Sequence, residues 1–543
     1  MRLTTFAALP LAFALIGAAQ PSDTIAQASA ADRVRAHVEF LSSDLLEGRD
    51  TGSRGHEIAA GYVVSQFQSL GLKPGGENGS WYQQVPFRRA TISGTPSVSF
   101  AAKGAAVTLQ QGVDIAIRPN LVNKQTDVAA DFVFVGFGIA DPVLGINDYA
   151  GVNAKGKIVV ALGGAPKGLR SDVASHIGSV KAQMAAARGA VGFLEIPTNA
   201  AASAWAPPSV IAARPLTSWA DGKGGSGQGA ASGLLRMSLT QATAERLFAG
   251  ARQNLAAVQA EAREGRSPKG FPLTGRLTVR ATSEWSDFTS PQVIGLLPGS
   301  DPKLAAEHVA LMGHLDHIGV RKNAKAGDDA INNGTLDNAS GVATMIETAR
   351  AFVTSGKPSR RTLMFLAVTG EELGLVGADY YATKPTVPLQ QIAALVNLDM
   401  PLLLYPFQDV IPFGAEHSNI VQAVDAAGRS MQVTASADPM PEQGLFVRSD
   451  HYRFVTRGVP SVFLMTGYAN GGEAQWKKFL GGGCYHSPCD DVKQGIDWQA
   501  GARFGELNYR IARQLADAAE RPRWYADSYF GRSFGANQPK LSR

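Results

Sequence analysis

The sequence predicts an α/β protein, a mixed central sheet flanked by helices, interrupted by an inserted mostly-β domain. Three observations predict it. Apolar runs of strand length at 308–312, 362–368 and 393–398 each end in polar residues able to carry chemistry. Apolar residues recur at helical spacing in 34–70, 342–352 and 499–521. Between about 90 and 282 that pattern gives way to short strand candidates bounded by Gly or Asp.

In chain order, Met1-Arg2-Leu3 begins a positive segment, an apolar core runs from Phe6 to Ile16, and small residues follow. This is the pattern of a signal peptide over 1–30, with cleavage after Ala28 or Ala30, or earlier near Ala19. The apolar core is too short to span a bilayer, and no later segment approaches ~20 uninterrupted apolar residues. With no Cys near the cleavage region to carry a lipid anchor, the expectation is an exported protein, periplasmic or secreted, with no membrane partner. The 543 residues, 45% hydrophobic and 18% charged, suffice for a large core and more than one domain. A net charge of +5 is small for this length and no Lys/Arg cluster marks a groove, which argues against a nucleic-acid partner.

Residues 31–110 read as the N-terminal part of the principal domain. Val34, Val38, Leu41 and Leu45, then Ile58, Tyr62, Val63, Phe67 and Leu70, predict two helices joined by the breaker-rich Glu47–Ser53. Residues 111–282 form the insert, with strand candidates at 132–135, 157–162 and 191–194 after two earlier ones at 97–100 and 106–109. Its lone His176 is expected to be structural or exposed rather than a ligand, and its Gly-rich run 222–229, without a strand and helix around it, a flexible loop. Residues 283–521 resume the principal domain and 522–543 are a tail that either docks or stays loose.

The chemistry-bearing residues lie where open α/β sheets build their sites, at strand C-termini. Gly313-His314-Leu315-Asp316 follows the first apolar run, Thr369-Gly370-Glu371-Glu372 the second and Asp399 the third. Asp337 opens a helix in Asp337-Asn338-Ala339-Ser340-Gly341, and Tyr485-His486 comes late in the chain. Two histidines, two aspartates and two adjacent glutamates suit a pair of zinc ions about 3.5–4 Å apart, a hydrolytic arrangement.

This ordered series resembles the M28 family of zinc peptidases, which includes bacterial aminopeptidases and glutamate carboxypeptidase. The resemblance implies a zinc-peptidase fold with two Zn2+ and a peptide substrate. It assigns His314 and Asp399 to one metal, Glu372 and His486 to the other, Asp337 as the bridge and Glu371 as general base. Asp316 would accept the other ring N–H of His314 through its carboxylate, and Tyr485 would donate to the oxyanion. Phe134–Gly138, Asp148-Tyr149, 155–160 and 189–192 resemble a protease-associated domain, which either covers the site mouth or serves as a spacer.

Cys484 and Cys489 flank His486, and a local disulfide is preferred over a thiolate ligand because the carboxylate and histidine set already completes the site. Asp328, Asp329 and His317 are read as standing outside the ligand set, and the sequons at Asn333 and Asn338 as accidental. Arg448, Asp450 and His451 are candidate substrate contacts, with a helix cap as the alternative for Asp450. The expected activity is that of an exported aminopeptidase. A carboxypeptidase, dipeptidase or other amide hydrolase on the same site is the alternative, ahead of a catalytically inactive binding protein. Oligomeric state and side-chain preference are not legible.

Overall fold

The computed structural model describes residues 28–102, 106–199, 205–220 and 233–543. The signal peptide, apart from residues 28–30, and the Gly-rich run 222–229 therefore lie outside the described residues.

Helix α1 (Ala30–Leu41) starts at Ser29, whose hydroxyl accepts the Asp32 N–H while Asp32 reaches back to the Ser29 N–H, so two end donors are satisfied at once. Val34, Val38 and Leu41 face the core. Helix α2 (Arg54–Ser69) is capped by Ser53, whose hydroxyl accepts the His56 N–H. After it the chain extends into the long strand β1 (Tyr82–Ala101). The insert then supplies β2 (Ile115–Ile117), β3 (Gln125–Phe134), β4 (Ile158–Leu162), helix α3 (Ser171–Ala186), β5 (Gly192–Ile196), β6 (Leu216–Trp219) and β7 (Leu235–Leu239). Strands β3, β4, β5 and β7 run parallel in that order, and β2 closes the edge antiparallel.

Strand β8 (Phe271–Leu297) joins the two halves of the molecule. It pairs with β1 along most of its length, with β3 at its start, and with β10 (Thr362–Val368) through Val293–Leu297. The boundary expected at 282/283 thus falls inside a continuous strand, because an edge carrying backbone hydrogen bonds on both sides has no reason to break there.

Beyond β10 the sheet continues through β9 (His308–His314), β11 (Ile392–Leu398) and β13 (Ser461–Thr466), all parallel, to β12 (Asp409–Phe413), antiparallel. Every residue of β9, β10 and β11 is buried, as strands covered on both faces require. Helix α4 (Ser340–Thr354) packs Val342, Met345, Ile346, Ala349 and Phe352 into the core, and α6 (Trp498–Asp517) lies against it. The tail docks: Trp524 and Phe530 are buried and α7 (Tyr529–Phe534) packs near the insert, its Tyr529 hydroxyl donating to Asp141 at 2.6 Å.

Helix α3 makes one of the insert's contacts with the principal domain. Asp172 meets His417 at 2.7 Å, and His176, structural rather than exposed, meets the Tyr452 hydroxyl at 2.6 Å. Gly444, at φ +59°, runs so close that an added Cβ would stand 2.3 Å from the Ser175 Oγ.

Candidate metal centre

The parallel order of β9, β10 and β11 brings their C-terminal ends side by side, and three of the predicted polar groups converge there. His314 closes β9, Glu371 and Glu372 follow β10, and Asp399 follows β11. Asp337 enters from the turn before α4, and His486 from the loop closed by the Cys484–Cys489 disulfide, which is formed. His486 sits at φ +54°, a conformation that a closed loop can impose on a non-Gly residue.

Two histidine–carboxylate clusters share Asp337. His314 Nε2 lies 3.2 Å from Asp337 Oδ1 and 3.1 Å from Asp399 Oδ1. His486 Nε2 lies 3.3 Å from Asp337 Oδ2 and 3.0 Å from Glu372 Oε2. Donors around a tetrahedral zinc, at bonds of about 2.0–2.1 Å, stand about 3.3 Å apart, so each cluster has the edge lengths of such a shell and Asp337 offers one oxygen to each. The donor chemistry, imidazole with carboxylate, fits the same ion. The carboxylates of Asp316, Asp337, Glu371, Glu372 and Asp399 are held together in the interior, which calls for cationic compensation.

The titration behaviour reflects that crowding. Burial opposes the charge on His314, yet Asp399 and Asp337 raise it well above its ordinary value. Burial likewise works against His486, and its bonds to Asp337 and Glu372 outweigh it, up to about 10. Glu371 is pushed well up by burial, and further by the negative charges of Asp399, Glu372 and Asp450. Burial and the charges of Asp337 and Glu372 also raise Tyr485, so its hydroxyl keeps its proton at neutral pH.

The role expected of Asp316 is corrected. His314 Nδ1 meets the main-chain oxygen of Asp316 at 3.0 Å, not its carboxylate, and this contact leaves Nε2 for a metal. Its carboxylate instead accepts the Glu371 and Glu372 N–H groups at 3.2 and 3.4 Å and the Thr51 hydroxyl at 2.9 Å. Two residues after a strand end the carbonyl is already turned back toward the ring, while the longer side chain reaches across to the next strand's exit.

Asp450 and His451 are corrected as well. Both are fully buried and neither lines the cavity beside the ligands. His451 opens the short helix α5 (His451–Val455) and packs between Phe446 and Phe463. Asp450 makes no capping hydrogen bond, so the helix-cap alternative fails too. Arg448 does line that cavity. His317 is drawn into the cluster: its Nδ1 lies 2.7 Å from Glu372 Oε1, the oxygen not used by His486.

Four positioning groups escaped the sequence reading. Arg49 is buried and donates to the main-chain oxygens of Leu315, Asn333 and Gly334 at 2.9, 2.7 and 3.0 Å. Thr51 holds Asp316. Ser449 donates to Asp399 Oδ2 at 2.5 Å. Asp490 accepts the Leu336 and Asp337 N–H groups at 2.9 and 3.0 Å. Two had a local signal: Ser449 lies between the candidates Arg448 and Asp450, and Asp490 beside Cys489 in the loop that carries His486.

The cavity next to these groups has a volume of about 430 Å³. Asp337, Glu371, Asp399 and Tyr485 line it together with the apolar Met400, Leu445, Phe463, Trp476 and Leu480.

Residues 292–512, a span containing all of these ligands, match the model of Peptidase family M28. The chain is 29% identical to leupeptin-inactivating enzyme 1 of Streptomyces exfoliatus over 230 residues, 40% of this chain and 47% of that one. It is 45% identical to a probable zinc metalloprotease of Pyrenophora teres f. teres (strain 0-1) over 141 residues, 23% of this chain and 28% of that one. It thus spans about half the length of the first of these relatives and less of the second. Among solved structures, the aminopeptidase from Aneurinibacillus sp. strain AM-1 aligns over 90% of this chain and 95% of that one, at 19% identity and a TM-score of 0.47.

Proposed function

From the M28 peptidase match of residues 292–512, we propose that the protein is an exported dinuclear zinc aminopeptidase that releases N-terminal residues from peptides. The observation that carries this reading is the pair of histidine–carboxylate clusters built around Asp337, with edges of 3.0–3.3 Å. His314 and Asp399 would hold one zinc, His486 and Glu372 the other, and Asp337 would bridge. Bound there, the two ions would supply an acidified water and Lewis-acid polarisation of the substrate carbonyl. Glu371, lining the cavity, takes a proton from the attacking water and returns it to the leaving amine. The Tyr485 hydroxyl, still protonated, donates to the developing oxyanion. The apolar walls exclude water from the reacting bond and receive the side chain of the released residue. Residues 111–282 are proposed to be an inserted protease-associated domain, and residues 1–30 the export signal.

A second reading keeps this chemistry and reverses the polarity of the substrate. Arg448 lines the cavity, and among the described residues its guanidinium makes one hydrogen bond, at 3.5 Å to the Gln443 main-chain oxygen, which leaves it able to hold a C-terminal carboxylate. A panel of aminoacyl-p-nitroanilides, the same panel N-acetylated, and acylated peptides with free C-termini separates the two, each with and without a chelator. Chelator-sensitive cleavage of only the free-amine set is expected. Cleavage of only the acylated peptides would establish the second reading.

A further inference from the structure

A second cleft, separate from the apolar cavity, reaches the proposed ligand Glu372. Where Glu371 faces the apolar cavity, its neighbour Glu372 faces a cleft of about 420 Å³ lined by Asp50, Arg89, Arg118, Lys322 and the insert segment 215–217. Among the described residues lining it, three cations stand against the carboxylates of Asp50 and Glu372. Arg89 is half-buried, its Nε has no hydrogen-bond partner, and its guanidinium lies 5.4 Å over the Phe288 ring. Among the described residues the Arg118 guanidinium hydrogen-bonds the Pro215 main-chain oxygen alone, at 3.3 Å. Burial, then the positive charges of Arg236 and Arg214, push Arg118 below its ordinary value. Lys322 is exposed at the rim. Against these three cations the described residues of the cleft set one carboxylate outside the proposed ligand set, Asp50, which Arg89 and Lys322 act on together.

We infer that this cleft is the binding site for the leaving part of the peptide and selects substrates bearing a carboxylate there, an acidic second residue or a nearby free C-terminus. The inference rests on the proposed aminopeptidase activity and adds to it the substrate class. The released residue occupies the apolar cavity on the Glu371 side, and the remaining chain passes Glu372 into the basic cleft. Two of the three cations come from outside the M28 match: Arg89 from β1 and Arg118 from the insert, beside insert residues 215–217. The insert then has a part in selecting substrate. A guanidinium lacking a carboxylate partner gains most from an incoming one, because a charge-assisted hydrogen bond is about twice as strong as a neutral one.

The test compares kcat/KM for Leu-Asp-NH2, Leu-Ala-NH2 and Leu-Lys-NH2 in the wild type, Arg118→Gln and Lys322→Ala. The wild type is expected to favour the Asp over the Lys peptide by about tenfold or more. Each variant is expected to lower that ratio severalfold, and added salt to lower it as well. Lys322 is at the surface, so its variant stands if Arg118→Gln fails to fold. A wild-type ratio near one, or a ratio unchanged in both variants, overturns the assignment. Calorimetry of the three peptides on the Glu371→Gln enzyme reads occupancy without turnover. If no peptide is cleaved but the Asp peptide still binds tightest, the activity is wrong and the cleft stands; equal affinities overturn the cleft.

Discussion

The carboxylate of Asp490 accepts the main-chain N–H of Asp337 at 3.0 Å and that of Leu336 at 2.9 Å, so the residue next to the disulfide fixes the residue proposed to bridge the two metals. Substituting Asp490 by Ala releases both donors and lets the turn before α4 relax. Metal affinity is expected to fall about 10–100-fold, with a smaller loss for Asp490→Asn, which keeps one acceptor. Competition with a chromophoric chelator measures it, and equal affinities in all three proteins would remove Asp490 from the account.

The Cys484–Cys489 bond closes a short loop, a sequence separation of 5, around His486. A loop that short limits the entropic gain to about 2 kcal/mol. Its larger effect is expected on metal binding: Cys484→Ser should weaken retention of one metal equivalent while the other is kept. Zinc content after graded dialysis reads the difference.

Glu347 on α4 joins Arg33 and His37 of α1 to Arg350, at 2.7, 3.3 and 2.8 Å. Burial would raise its carboxyl, but the bonds from His37, Arg33 and Arg350 hold it down to about 2. A depressed carboxylate stabilises the fold above its unfolded value near 4.5 and loses that stabilisation as pH falls toward 2. Allowing for the partly exposed Arg33, the contribution is on the order of 1–2 kcal/mol. Glu347→Gln should therefore be less stable than the wild type by urea unfolding at pH 7, and the gap should close between pH 4.5 and pH 2. A gap that persists at low pH would mean the loss is one of packing.

Gly444 sits at φ +59° against Ser175 of the insert, in the loop that supplies Leu445 and Arg448 to the apolar cavity. Ala at this position costs about 1 kcal/mol for the left-handed backbone and pushes the loop off α3. The expected result is a raised KM for leucine p-nitroanilide, partly restored by adding Ser175→Ala. No change in KM would separate the insert from the cavity wall.

How much of this was legible follows from sequence distance. The convergence of the proposed ligands was legible because buried parallel strands appear as continuous apolar runs, and the polar residue that ends each run emerges at the sheet's C-terminal edge. What holds those ligands was not legible. Arg49 acts on Leu315 across 266 positions and Asp490 on Asp337 across 153, and no local period encodes such pairs. Glu47–Ser53 read as a breaker-rich connection, yet it carries Arg49 and Thr51 into the site. The exchange of roles between the Asp316 carbonyl and carboxylate depends on the turn after β9, which residue type alone does not specify.

Metal content measured alongside turnover in the wild type, Glu371→Gln and Asp337→Ala tests the dinuclear centre most directly. The account predicts two zinc per chain in the wild type and two in Glu371→Gln, with kcat lowered by about 10²–10⁴ in the latter. Asp337→Ala should lose metal and activity together. An Asp337→Ala protein that keeps two zinc per chain and wild-type turnover would contradict the bridging role on which the site is built.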